Sequence, residues 1–142
     1  ALLAKERNYS YHTYVIVGDG EIDEGSVWES IMFSSQRKLD NLTLIIDLNG
    51  LQADGSTESI MDWHSLGDRL RAFGWFVIEI DGHNCVEILS ALEKETDGTP
   101  KAIIAHTVKG KGISFMENDF EWHHKALIKD ELETAKAEVG LV

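Results

Sequence analysis

Two short segments place a polar side chain beside glycine, directly after a run of apolar residues. Residues 15–20 end in Gly18-Asp19-Gly20, and residues 44–50 end in Asn49-Gly50. Because β-branched runs are typical of buried strands, each segment predicts a strand with an oxygen ligand at its carboxyl end. If the two strands are parallel neighbours, both side chains lie at the sheet edge where open α/β sheets bind ligands. A carboxylate, an amide oxygen and glycine-opened backbone suit a hard divalent cation that carries a phosphorylated ligand.

An alternating order of strands and helices must position these side chains. We predict strands at residues 13–17, 42–48, 75–80 and 101–107, helices at about 24–38, 65–73, 85–96 and 129–138, and polar loops at 49–59 and 109–124. This alternation predicts an α/β fold, with a mainly parallel sheet and helices on both faces. Residues 1–7 are typical of the last turns of a helix already under way. We therefore expect a single domain, residues 1–142, that lacks its N-terminal part.

Composition excludes several classes of protein. A chain of 142 residues, 43% hydrophobic and 27% charged, suits one globular domain with a sizeable core. Its net charge of −12 argues against nucleic acid or an anionic membrane surface as a partner. Cys85 is the one cysteine, which excludes an internal disulfide, and we expect it to be a buried small hydrophobe. Without a signal peptide or a long apolar run, the expected location is cytoplasmic.

A longer pattern runs along almost the whole chain. Gly18-Asp19-Gly20, followed by Asn49 after 29 residues, resembles the thiamine diphosphate motif. Further segments resemble, in the same order, the pyrophosphate-binding domain of transketolase: Gly18–Glu21 as GDGE, Glu24-Gly25, Trp28-Glu29, residues 39–42, 49–52, Asp54-Gly55, Gly74-Trp75, 81–83, 109–112 and 121–123. The resemblance implies the thiamine diphosphate-binding fold, in its pyrophosphate-type form.

The resemblance implies a joint site for a metal ion and the cofactor's diphosphate. Asp19, Asn49 and the backbone carbonyl of Leu51 would hold Mg²⁺, with Ca²⁺ or Mn²⁺ as substitutes, and phosphate oxygens and water would complete the octahedron. The Gly20 N–H would donate to a phosphate. The full cofactor-binding set implied in this way is Gly18, Asp19, Gly20, Glu21, Asn49, Leu51 and His123.

Three residues take catalytic roles from the resemblance. His123, in Glu121-Trp122-His123, corresponds to a histidine near the diphosphate and the substrate. Family members commonly have glycine next, whereas this chain has His124, so either imidazole is able to face the site. Glu24 and Glu29 correspond to glutamates at the transketolase dimer interface that link two cofactor sites. Without the resemblance, both would be solvated acids on a first helical turn.

The resemblance also implies a partner. Thiamine diphosphate is activated by a glutamate of a separate pyrimidine-binding domain, and the sequence holds no second α/β unit to supply one. We expect the partner to be a pyrimidine-binding transketolase C-terminal subunit or domain, in a homodimer or heterotetramer that acts on a sugar phosphate. The chain would then be the N-terminal subunit of a split bacterial transketolase, or a fragment of a single-chain enzyme.

The expected function is a transketolase-type transfer of a two-carbon ketol unit from a ketose phosphate to an aldose phosphate. The nearest alternative is a decarboxylating 2-oxoacid dehydrogenase domain of the homodimeric pyruvate dehydrogenase type, which also carries a GDGE-x-DE run. Glu24-Gly25 favours transketolase, because the dehydrogenase type resembles Asp-Glu-Pro there. Deoxyxylulose-phosphate synthase is less similar over residues 21–24. A non-catalytic cofactor-binding or assembly subunit is a further alternative, against which intact Asp19 and Asn49 argue.

Overall fold

A computed structural model describes residues 1–141 of the chain. Within them, the main sheet is formed by β1 (Thr13–Gly18), β2 (Leu42–Leu48), β5 (Phe76–Asp81) and β6 (Lys101–His106), and a separate hairpin by β3 (Leu51–Gln52) and β4 (Gly55–Ser56). The main sheet has the order β1-β2-β6-β5, and every neighbouring pair is parallel. Strands β1 and β2 are therefore direct parallel neighbours, and their carboxyl ends lie at the same edge.

Helices connect the strands. They are α1 (Leu2–Glu6), α2 (Gly25–Gln36), α3 (Thr57–Ile60), α4 (Leu66–Ala72), α5 (Cys85–Glu93) and α6 (Lys129–Glu138), with short 3₁₀ helices at Glu21–Asp23 and Phe120–His123. Helix α2 begins one residue later than predicted, because the acidic segment before it forms its own 3₁₀ turn. It ends early because Lys38 adopts a left-handed φ of 50°. None of the helices within residues 1–141 is long and apolar enough to cross a membrane.

Apolar side chains form a core on each face of the sheet. On one face, the buried Leu44, Ile46 and Ile104 pack with Ile31 of α2 and Leu70 of α4. On the other face, Ile80, Ile103 and Ala105 pack with Ala91 of α5. The alternation of side chains along each strand sends neighbouring residues to opposite faces, so one strand serves both cores. The predicted α/β architecture with helices on both faces is confirmed.

The segment between β5 and α5 holds the cap of the helix and the one cysteine. Asn84 caps α5 as its type predicts, because its side-chain oxygen accepts hydrogen bonds from the N–H groups of Val86 and Glu87. The expectation that Cys85 is buried is wrong, since its side chain is exposed. Cys85 is the first residue of α5, and the sheet is covered farther along this helix, by Ile88, Ala91 and Leu92.

Candidate functional site

A cavity of about 560 Å³ opens at the carboxyl edge of the sheet, beside the ends of β1 and β2. We call it the edge cavity. Its lining includes the whole predicted cofactor-binding set: Gly18, Asp19, Gly20, Glu21, Asn49, Leu51 and His123. Asp47, Gln52, Asp54 and Lys109 also line it. Residues from three well-separated parts of the sequence are thus brought together in one place.

Asp19 is the most buried polar side chain of this lining, with 2% of its surface exposed. Its Oδ2 accepts a hydrogen bond of 2.7 Å from the Gly50 N–H and one of 3.1 Å from the Thr57 hydroxyl. Burial raises the pKa of Asp19 above its usual range, although the hydrogen bonds from Gly50 and Thr57 act in the opposite direction. The carboxylate is therefore fixed in position, and a bound cation would favour its charged form.

Asn49 and Leu51 share a tight turn after β2. The Asn49 Oδ1 accepts a hydrogen bond of 3.0 Å from the Leu51 N–H, which is the arrangement of an Asx turn. Between them, Gly50 adopts a left-handed φ of 77°, and its N–H reaches Asp19. The turn thus holds the amide of Asn49 and the main chain of Leu51 beside the carboxylate of Asp19.

The chemistry of this donor set fits Mg²⁺. Within the described part of the chain, no three His, Cys, Asp or Glu side chains form a metal cluster. The predicted ligands are instead a carboxylate of Asp19, an amide oxygen of Asn49 and a carbonyl of Leu51. These are hard oxygens, and Mg²⁺ in phosphate sites typically takes few ligands from the protein and the rest from phosphate and water.

The charge around the edge cavity also favours a bound metal ion. Four carboxylates line it, those of Asp19, Glu21, Asp47 and Asp54, whereas Lys109 is the lysine of this lining. A diphosphate would meet net repulsion from these side chains, because like charges at short range oppose binding. A divalent cation would offset the repulsion, so the cavity suits an anionic ligand only together with a metal ion.

One of the two adjacent histidines faces the edge cavity. His123 belongs to its lining and His124 does not. The His123 Nδ1 lies 3.5 Å from the Lys109 Nζ, and the His124 ring packs against the edge of His123, with ring centroids 4.5 Å apart. His123 and Lys109 therefore line the same part of the edge cavity, and the role of His123 beside a diphosphate stays a prediction.

The loop that carries Lys109 and His123 is held by several contacts of its own. The Asn118 N–H donates to the Lys109 carbonyl, and the Trp122 indole donates to the carbonyl of Phe115, both at 3.0 Å. Helix α6 anchors the loop from outside, because the Glu138 carboxylate accepts hydrogen bonds of 2.6 Å from both the N–H and the hydroxyl of Ser114. The side chains at the two ends of the loop are thus presented by an organised segment.

The two glutamates with a predicted catalytic role lie elsewhere. Glu24 caps the start of α2 through its backbone, and Glu29 lies one turn further along this helix. Both are exposed, and neither lines the edge cavity. Their role at a subunit interface stays a prediction.

Sequence reasoning missed two residues that support the edge cavity. Thr57, the first residue of α3, donates to Asp19. Asp23 accepts hydrogen bonds from Gln52 and Trp63, which lie 29 and 40 residues further along the chain. The spacing that relates Asp19 to Asn49 does not show which side chains bond to Asp23, although Gln52, close after Asn49, is a candidate to line the same edge.

Comparison with known proteins gives the family. Residues 5–142 match the family described as "Transketolase, thiamine diphosphate binding domain". The chain belongs to this family. Within the transketolase family, it is 44% identical over 142 residues to one of the subunits of the apulose-4-phosphate transketolase of Phocaeicola vulgatus, covering 99% of this chain and 50% of that protein.

Two more transketolase-family proteins bear on its architecture. The 6-deoxy-6-sulfo-D-fructose transketolase subunit SqwG of a Clostridium species is 46% identical over 128 residues, which are 89% of this chain and 46% of that subunit. The crystal structure of Campylobacter jejuni transketolase superposes with a TM-score of 0.86 at 31% identity, over 92% of this chain and 21% of that one. The chain thus spans about half the length of the curated subunits that it matches. The family and fold inferred from the sequence are confirmed.

Proposed function

We propose that this chain provides the Mg²⁺ and diphosphate site of a transketolase, and that a pyrimidine-binding domain on another chain completes the active site. One observation carries the proposal. The Gly18–Gly20 turn, the Asn49–Leu51 turn and His123 line the same cavity, although they come from separate parts of the sequence. Membership of the thiamine diphosphate-binding family supports the choice of cofactor.

Each of the proposed ligands has a distinct task. Asp19, Asn49 and the Leu51 carbonyl hold Mg²⁺, and the backbone N–H of Gly20 donates to a phosphate oxygen. Gly20 suits this task because it stands at the start of a 3₁₀ helix, where N–H groups are free of helical partners. Bound thiamine diphosphate supplies the carbanion chemistry at the ketone, while the protein positions the reactants.

Lys109 and His123 belong to the loop at residues 109–124, and they form one wall of the edge cavity. The Lys109 ammonium offers a positive charge to phosphate oxygens. Because the His123 Nδ1 faces Lys109 at 3.5 Å, its Nε2 is the ring nitrogen that remains for a substrate oxygen. His123 then binds the substrate and holds a proton at this oxygen.

The reaction that we propose is transfer of a two-carbon ketol unit from a ketose phosphate to an aldose phosphate. Two similar proteins are named as transketolase subunits, which supports both the reaction and the need for a partner chain. Glu24 and Glu29, exposed on α2 and outside the edge cavity, are accessible for contact with a second copy of the site in a homodimer or heterotetramer.

The proposal is tested by an assay of the chain co-expressed with a pyrimidine-domain partner. A ketose phosphate donor and an aldose phosphate acceptor should give the exchanged sugar phosphates, dependent on thiamine diphosphate, Mg²⁺ and the partner. Turnover of pyruvate in place of the ketose would favour the dehydrogenase alternative. A folded complex that binds the cofactor but turns over neither substrate would favour the non-catalytic alternative.

A further inference from the structure

Three polar side chains meet next to the edge cavity. The Asp23 carboxylate accepts a hydrogen bond of 2.9 Å from the Gln52 Nε2 at one oxygen, and one of 2.5 Å from the Trp63 Nε1 at the other. Trp63 is itself held by stacking on Trp28, with ring centroids 5.0 Å apart. Asp23 therefore joins the 3₁₀ turn, the β3–β4 hairpin and the segment before α4.

The contact with Asp23 fixes which way the Gln52 amide faces. A carboxylate only accepts hydrogen bonds, so the NH₂ group of Gln52 must point to Asp23, and the amide oxygen must point away. This oxygen lies above the Gly18–Gly20 turn, because a methyl group added at Gly20 would meet the Gln52 Oε1 at 3.3 Å. The edge cavity therefore has a hydrogen-bond acceptor beside its phosphate-binding turn.

An acceptor at this position is unsuited to a phosphate oxygen, which is an acceptor too. It suits a donor, and the water molecules of a hydrated Mg²⁺ are strong donors. We propose that Asp23 is a positioning residue, which orients the Gln52 amide so that its oxygen accepts a hydrogen bond from water on the bound cation. Outer contacts of this kind are known to tune metal affinity. The inference rests on the proposed function.

The substitution Asp23→Asn separates this role from simple electrostatics. The Trp63 indole only donates, so the asparagine oxygen must face Trp63 and the asparagine NH₂ group must face Gln52. Gln52 would then have to reverse its amide and direct its own NH₂ group to the cavity. Loss of a negative charge near the site would, by itself, strengthen binding of the anionic cofactor but raise the Mg²⁺ requirement. Orientation of Gln52 instead predicts weaker cofactor binding, and it predicts a raised Mg²⁺ requirement in Gln52→Ala as well, where no charge changes.

The test is calorimetric titration of thiamine diphosphate with Mg²⁺ into the full chain in complex with its pyrimidine-domain partner. We expect Asp23→Asn and Gln52→Ala each to weaken binding and raise the half-saturating Mg²⁺ concentration by roughly tenfold, the effect of one hydrogen bond. The double variant should bind no more weakly than Gln52→Ala. The matched control is Trp63→Phe, which removes the other donor to Asp23 and should lower the melting temperature while affinity stays within about twofold.

The outcomes distinguish this inference from the function on which it rests. Wild-type affinity in Asp23→Asn, or additive losses in the double variant, would overturn the role of Asp23. If Asp23→Asn does not fold, Gln52→Ala carries the test, and an unchanged Mg²⁺ requirement in that variant overturns the inference. A folded wild-type complex that binds no thiamine diphosphate would overturn the proposed function itself.

Discussion

The carboxylate of Asp19, just after β1, accepts a hydrogen bond of 2.7 Å from the backbone N–H of Gly50, just after β2. This contact joins the ends of two neighbouring parallel strands across 31 positions of sequence. The left-handed φ of Gly50, 77°, is part of the turn that also presents Asn49 and Leu51. One turn therefore both fixes the buried carboxylate and positions the other proposed Mg²⁺ ligands.

The conformation of Gly50 predicts a graded response to substitution. A methyl group at Gly50 would meet no atom within 4 Å, so backbone strain alone decides the effect. We expect Gly50→Ala to lower the free energy of unfolding by about 1–2 kcal/mol, and Gly50→Asn to lower it less, because asparagine tolerates the left-handed region. Chemical denaturation measures both values. Equal losses for alanine and asparagine would contradict this account of the turn.

Two glycines of the loop at residues 109–124 make a matched test of how closely the loop is packed. Gly110 and Gly112 both have positive φ, 74° and 94°. A methyl group at Gly110 would clash with the Met116 carbonyl oxygen, whereas at Gly112 it would meet nothing within 4 Å. Gly110→Ala should therefore displace the loop and weaken cofactor binding by the complex well beyond the effect of Gly112→Ala, as measured by calorimetry. Similar affinities in the two variants would show that the loop tolerates the contact.

Replacing Lys101, which lies away from the edge cavity, is expected to lower the stability of the fold. Its side chain is buried, and its Nζ donates to the carbonyls of Ala91, Leu92 and Lys94 at 2.7 to 2.9 Å. Lys101→Met would leave these carbonyls at the end of α5 without their donor, and we expect it to destabilise the fold by about 1–3 kcal/mol. Thermal denaturation should show little change in the control Lys129→Met, because Lys129 is exposed.

The lowered pKa of His12 makes the stability of the fold depend on pH. Partial desolvation lowers the pKa of His12, which is otherwise exposed; the charge of Lys101 lowers it further, and Asp40 partly opposes both. The folded protein then binds fewer protons at His12 than the unfolded chain, so this contribution to stability is present above about pH 6.5 and is lost as the pH falls below it.

The variant His12→Gln isolates the effect. Denaturation between about pH 8 and about pH 5 measures the unfolding free energy of both proteins. We expect the wild type to lose unfolding free energy relative to His12→Gln as the pH falls. A difference that stays constant over this range would contradict the lowered pKa. Glutamine can still contact Thr43, whose hydroxyl lies 2.8 Å from the His12 Nε2.

The parts of the fold that sequence predicts are those that local patterns determine. Apolar runs identify the strands of the main sheet, and the spacing of one βαβ unit places Asp19 and Asn49 at the same edge. The β3–β4 hairpin and α3 were missed, because two-residue strands and a four-residue helix carry no periodic signal. Similarly, the contact of Asp23 with Trp63 depends on tertiary packing across 40 positions.

The central claim is that Mg²⁺ and thiamine diphosphate bind at Asp19, and its most direct test is titration of the cofactor into the partner complex of wild type and Asp19→Asn. Asparagine keeps an oxygen to accept from Gly50 and Thr57, and burial disfavours the charge that it removes, so the variant should fold at least as stably. The account predicts Mg²⁺-dependent binding in the wild type and its loss in Asp19→Asn. Equal binding by both complexes, or no binding by the folded wild-type complex, would contradict it.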